Sequence, residues 1–166
     1  MARKPPPPSK RYITKAGFDR LRAEVHRLLY EERPRVTREV TVAAAHGDRS
    51  ENYEYKLGKK KLREIDARLH KLTRQLEFYE VIDPALRPPT DRVFFGATVT
   101  VENEDGDEVT WQIVGGDELD QSLGKGRISY EAPLGKALLG KRAGDSVRVQ
   151  RPAGDTELTI VKVEWR

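Results

Sequence analysis

Leu62, Ile65, Leu69, Leu72, Leu76 and Tyr79 follow one another at steps of three, four, three, four and three residues. That is heptad spacing, and it commits the segment to a helix with one apolar stripe. Running the pattern backward brings Gly58 and Tyr55 onto the same stripe. A second stripe precedes it: Phe18, Leu21, Val25 and Leu28, after Thr14 as a candidate N-cap. This one slips by a position and continues as Leu29, Val36, Val40 and Ala43, as a stutter would make it do. Pro34 lies inside the run and costs ~3 kcal/mol in a helix interior, so a kink or short break is expected there. The turn-forming run from Ala45 to Ser50 separates the two stripes. A joint that short makes the helices antiparallel neighbours, each of about 30 residues and ~45 Å at ~1.5 Å per residue. The expectation is a helical hairpin, an antiparallel coiled coil over residues 14–82, with one exposed tip.

Past Asp83-Pro84 and Arg87-Pro88-Pro89-Thr90 the period changes. Residues 83–92 read as a linker. Beyond it, Ala97–Glu102 and Glu108–Val114 alternate with a period of two around Asp105-Gly106, a strong hairpin signal. Further strands are expected at Ser146–Gln150 and Leu158–Trp165, with a short helix at Leu134–Leu139 stopped by Gly140. The chain is thus predicted to be a two-domain α+β protein, its second half an antiparallel sheet with one short helix over residues 93–166.

Charge divides along the same line. Residues 1–90 hold 21 Lys and Arg against 13 Asp and Glu, and residues 91–166 hold 10 against 14. A basic half is suited to phosphates and an acidic half is not. No apolar run approaches the ~18 residues of a membrane-spanning helix, and no membrane partner is expected. Cysteine is absent, which excludes disulfide scaffolds, thiolate catalysis and Cys-based zinc sites. His26, His46 and His70 have no ligand spacing for zinc. The N-terminal run with Pro5 to Pro8 lacks an apolar core of the secretory kind and reads as a disordered tail over residues 1–13. A cytoplasmic location is expected.

The tip carries the chemistry-bearing residues. Asp48 and Glu51 are three apart, so both carboxylates fall on one side of a helical turn. Two close carboxylates suit Mg²⁺, which takes one or two from a protein and completes its shell with water and phosphate oxygens. The same Asp-x-x-Glu is also the pattern of a capping box opening the second helix, and spacing alone favours that reading. Arg49, Lys56, Lys59, Lys60, Lys61 and Arg63 follow, with Arg33, Arg35 and Arg38 on the first helix. Such a surface is either a track for a nucleic-acid backbone or a solvated face paired with Glu54, Glu64 and Asp66. Tyr53 and Tyr55 are candidates to stack on a base, although Tyr55 falls on the packing seam. Trp111 and Trp165 read as core residues.

Several stretches together resemble the bacterial Gre transcript cleavage factors, the GreB type more than the GreA type. They are the run from Thr14 to Glu24, Arg33-Pro34, the tip from Ala43 to Asn52, the run from Lys59 to Asp66, Val93–Ala97, and the block from Ile128 to Lys141. The similarity extends from about Thr14 to Glu164. It implies a coiled coil joined to an FKBP-like domain that docks on bacterial RNA polymerase. The coiled coil would enter the secondary channel, where Asp48 and Glu51 share a catalytic Mg²⁺ with the polymerase and Ser50 and Asn52 support the tip. Arg49, Lys56, Lys59, Lys60, Lys61 and Arg63 would line the path of the nascent RNA 3′ end, and Pro133, Leu134 and Leu138 would belong to the docking surface. The implied role is an accessory factor, monomeric and with no nuclease activity alone, that stimulates cleavage of backtracked RNA. The alternatives are a non-cleaving regulator of the same channel and a prolyl isomerase or chaperone. Family members usually carry Ser where Ala132 stands, and the proline-rich extension lies outside the shared region.

Overall fold

The structure is a computed structural model describing residues 11–47, 52–119 and 126–166. The chain divides into two compact units: Phe18–Tyr79, and the segment up to Gly17 together with Glu80–Arg166.

The helical unit opens with α1 (Lys15–Arg27), passes through a π-helical turn at Leu28–Glu32, and continues as α2 (Arg33–Ala44). The π turn is where the stripe slips. Leu28 and Val36 are both buried, eight residues apart, and the widened turn absorbs the extra residue. Leu29, expected on the stripe, is 42% exposed. Pro34 breaks nothing. The Arg33 N–H reaches back to the Leu28 carbonyl, and Arg27 and Arg33 on either side keep helical backbone angles. Pro34 is the second residue of α2, directly after the widened π turn that interrupts the regular helix and accommodates it.

Helix α3 (Tyr53–Phe78) returns antiparallel. Pairing shows the direction. Asn52 bonds to Ala43, Gly58 lies against Val40, Asp66 pairs with Arg33, and Arg68 pairs with Glu24. The seam of Leu28, Val36, Ile65 and Leu72 is flanked by Leu21, Val25, Val40, Leu62 and Leu69. At Gly58 the helices come so close that a Cβ would stand 2.5 Å from Val40 Cγ2. Two bidentate pairs clamp the seam from outside: Arg33 to Asp66 at 2.8 and 3.4 Å, and Arg68 to Glu24 at 2.9 and 3.0 Å. The hydrogen bond from Arg33 holds the Asp66 carboxyl below its ordinary pKa.

The other unit is built on a five-stranded sheet of β3 (Thr98–Glu102), β4 (Glu108–Val114), β5 (Arg127–Ser129), β6 (Ser146–Arg151) and β7 (Gly154–Glu164). Their order is β5-β4-β3-β7-β6. Three neighbouring pairs are antiparallel, as expected, but β5 runs parallel to β4, so the sheet is not wholly antiparallel. Helix α4 (Pro133–Leu138) packs on the face that buries Val99, Val101, Ile113, Val147, Val149, Leu158 and Ile160.

Two boundaries differ from the sequence reading. Residues 11–13 do not belong to a tail: Arg11–Thr14 is strand β1, which pairs with β2 (Tyr79–Ile82), and Ile13 is fully buried. Residues 83–92 are not a free linker either. Pro84 is buried, Arg87 stacks over Phe94 and Trp165, and Trp165 Nε1 donates to the Thr90 carbonyl at 3.0 Å. The proline-rich stretch up to Lys10 lies outside the described residues.

Thr14 caps α1 as its sequence position suggests, accepting a bond from the Gly17 N–H at 3.1 Å. Glu118, 4% exposed, receives the Thr14 N–H at 3.1 Å, the Thr14 hydroxyl, and the Gly115 N–H at 2.7 Å. A buried carboxylate needs such donors. Gly17 has no alternative residue, because a Cβ there would collide with the Glu118 carboxylate.

Candidate functional site at the hairpin tip

The end of α2 and the start of α3 define the tip. The N–H groups of Ala45 and His46 close back on the Val42 and Ala43 carbonyls at 3.1 Å, ending α2 in a tight turn. Gly47 then takes φ +133°, a conformation that favours glycine, and no atom lies within 4 Å of where its Cβ would be. Asp48, Arg49, Ser50 and Glu51 lie outside the described residues.

The next described residue, Asn52, does two things. Its Oδ1 accepts the Tyr55 N–H at 3.1 Å, capping α3. Its Nδ2 donates to the Ala43 carbonyl at 2.6 Å, tying the two helix ends together across the loop. The capping-box reading of Asp48 with Glu51 is therefore incorrect for α3: the helix begins at Tyr53, and its N-cap is Asn52.

Lys56, Lys59, Lys60, Lys61 and Arg63 all stand exposed on the first turns of α3. Among the described residues only Lys60 has an acidic neighbour close by, Glu64 at 4.0 Å, and both side chains are well solvated. Such a pair is weak. Lys56, Lys59, Lys61 and Arg63 make no ion pair among the described residues. The first helix contributes less than expected, since Arg33 pairs with Asp66 and Arg35 with Glu39 at 2.7 Å. The cations thus concentrate on α3. Tyr53 is 75% exposed beside the cap, whereas Tyr55 is half-buried on the seam. Among the described residues no group of three or more His, Cys, Asp or Glu is placed to hold a metal ion.

The three residues singled out on α4 separate. Pro133 is exposed and opens the helix, Leu134 is half-buried against the sheet core, and Leu138 is fully buried. Leu138 is a core residue and cannot present a docking surface. The exposed neighbours that stand with Pro133 are Glu131 and Lys136. Tyr130, half-buried beside Tyr12 and Phe95, has its phenol pKa pushed up by desolvation and then by the Glu131 charge.

The chain thus joins a helical hairpin, whose connecting segment carries Asp48 and Glu51 in the sequence, to a separate sheet unit. A family model described as the N-terminal part of the GreA/GreB transcription elongation factors matches residues 11–81. A second, for their C-terminal part, matches residues 88–165. The chain belongs to the GreA/GreB family of transcription elongation factors, on its GreB-like side. It is 46% identical to transcription elongation factor GreB of Neisseria meningitidis serogroup B over 157 residues, 95% of each chain. It is 48% identical to GreB of Pseudomonas aeruginosa over 153 residues, 92% of this chain and 89% of the relative. Among solved structures, Gfh1 of Thermus thermophilus aligns over 93% of this chain and 99% of its own, at 26% identity and a TM-score of 0.41.

Proposed function

We propose that this chain binds RNA polymerase at its secondary channel and stimulates the polymerase's own Mg²⁺-dependent cleavage of backtracked RNA. The observation that carries the reading is the cap of α3. With Asn52 opening that helix, Asp48 and Glu51 are not required as its cap and stand in sequence between two tethered helix ends. Two carboxylates and no more fit a shared Mg²⁺, which is the ion that accepts so small a protein contribution. Asp48 and Glu51 would hold it jointly with polymerase groups and RNA phosphate. Bound there, the ion supplies activation of water and neutralisation of charge at the phosphodiester.

The rest of the task falls to residues of this chain. Asn52 fixes where the segment that carries the two carboxylates ends. Lys56, Lys59, Lys61 and Arg63 attract the extruded RNA 3′ segment toward that loop. α3 is 26 residues long, ~39 Å at ~1.5 Å per residue, a length suited to reaching a buried active centre from a channel rim. The sheet unit, which we read as FKBP-like, serves as the docking module through the surface around Pro133 and Glu131. The chain acts as an accessory to polymerase and is no nuclease alone.

The test is a stalled, backtracked polymerase complex incubated with Mg²⁺ and the factor. Asp48→Asn combined with Glu51→Gln should abolish the RNA shortening while leaving binding to polymerase intact. Full cleavage by that double variant would overturn the mechanism.

A further inference from the structure

The sheet unit has an open end that α4 does not cover. α4 has only six residues, ~9 Å at ~1.5 Å per residue. It leaves part of the core face uncovered where the β3–β4 and β6–β7 turns come together. A cavity of about 370 Å³ opens there. Its walls are the apolar side chains of Val101, Val109, Trp111 and Leu158, and Val109 is 47% exposed. Its rim is acidic: Glu104, Asp105, Asp107 and Asp155, against the single cation Arg151. None of these five makes an ion pair with another described residue. The hairpin that carries three of the acids is held by backbone bonds to Asn103 Oδ1 at 3.0 and 2.9 Å, so their carboxylates are not needed for the turn.

We propose that this cavity is the docking site of the chain's own segment 3–10. The segment carries Arg3, Lys4 and Lys10, no acid, and the four prolines Pro5 to Pro8. A proline run is already close to the extended left-handed helix that aromatic-lined grooves accept at low entropic cost. Trp111 supplies the aromatic wall and the rim supplies the opposite charge. Reach is adequate. Tyr12, just after the segment, has its carbonyl 2.7 Å from where a Cβ on Gly115 would stand, at the far end of β4. From Gly115 back to Val109 is ~20 Å at ~3.3 Å per residue, and the eight residues of the segment would span ~25 Å at ~3.1 Å per residue as a polyproline helix. This docking goes beyond the cleavage reading and does not depend on polymerase.

The absence of cysteine allows a clean measurement. Ala2→Cys carries a nitroxide spin label on the full-length, ¹⁵N-labelled chain, and amide peak intensities are compared before and after reduction of the label. The expected result is intensity loss at residues 103–111 and 151–156. Asp105→Lys with Asp107→Lys, both exposed positions, should restore those peaks without shifting the remainder of the spectrum. Loss confined to residues next to β1, or loss that persists in the double lysine variant, overturns the proposal. A mixture of spin-labelled unenriched chain with ¹⁵N chain lacking the label tests for a second copy as the occupant, and equal loss there also overturns it.

Discussion

The helical unit buries four apolar side chains along one seam, Leu28, Val36, Ile65 and Leu72, with half-exposed neighbours on either side. The sheet unit closes ten around a two-sided core, including Leu138, Ile113 and Ile160, each 1% exposed or less. The first relies on a single line of contact, a glycine at the close approach, and ion pairs outside the seam. The second relies on pairings between strands far apart in sequence. A seam two helices wide leaves most side chains free, and that is why α3 can display a row of cations without losing its packing. In the sheet the exposed side chains are interleaved with core positions along each strand, as Arg148 stands between Val147 and Val149 on β6.

The contrast can be broken by truncating one core leucine in each unit. Leu138→Ala should cost about 4 kcal/mol, because the sheet and α4 enclose the site from all sides and cannot collapse into the void. Leu72→Ala, equally buried, should cost about 2.5 kcal/mol, since two helices can slide together to fill part of the space. The two effects are separable by probe. Trp111 and Trp165 both belong to the sheet unit, so tryptophan fluorescence in a urea titration follows that unit. Ellipticity at the helical band follows mainly α1 to α3. Leu138→Ala should shift the fluorescence midpoint and Leu72→Ala the helical one. Equal shifts of both probes by either variant would mean that the units unfold as one.

The same contrast governs what could be read from the sequence. The stripe from Tyr55 to Leu76 was legible because seven-residue repetition sustained over 22 residues leaves one solution, but its last expected member, Tyr79, opens strand β2 instead of extending the hairpin to residue 82. The slip after Leu28 and the proline at 34 were visible as irregularities, but not the π turn that absorbs both. In the sheet unit, β4 was legible from alternation around Asp105-Gly106, whereas β1, β2 and β5, of three or four residues each, are too short to show a period. Leu138 was taken for surface because a six-residue helix does not reveal which side faces the sheet. Glu118 has a local bond to the Gly115 N–H, but its contact with Thr14, 104 residues away, carries no mark in the local sequence. At the tip, the Asp-x-x-Glu pattern competed with Asn52 for the cap, and the competition is decided by where α3 begins. The carboxylate pair itself was read from spacing and resemblance.

The two helix openings sharpen the comparison on a smaller scale. α3 begins at Asn52 with a side-chain oxygen on the Tyr55 N–H. Asn52→Ala removes that bond and the tie to Ala43, and should cost about 1.5 kcal/mol. Faster amide exchange over residues 53–56 is the measurement. Unchanged protection there would show that the cap contributes nothing.

α4 begins at Ala132, whose backbone already has the extended conformation of an N-cap, φ −68° and ψ 154°, but which has no side-chain oxygen to offer. Pro133 follows at the first helical position, where its missing N–H is harmless. The backbone is therefore set for a cap that the residue cannot complete. Serine at this position adds the missing acceptor without altering the proline or the packing of Leu134. Ala132→Ser should stabilise the sheet unit by about 1 kcal/mol, seen as a higher urea midpoint by tryptophan fluorescence with the helical midpoint unmoved. A midpoint that stays put or falls would mean that α4 is held by Leu134 and Leu138 alone and that its first turn adds nothing.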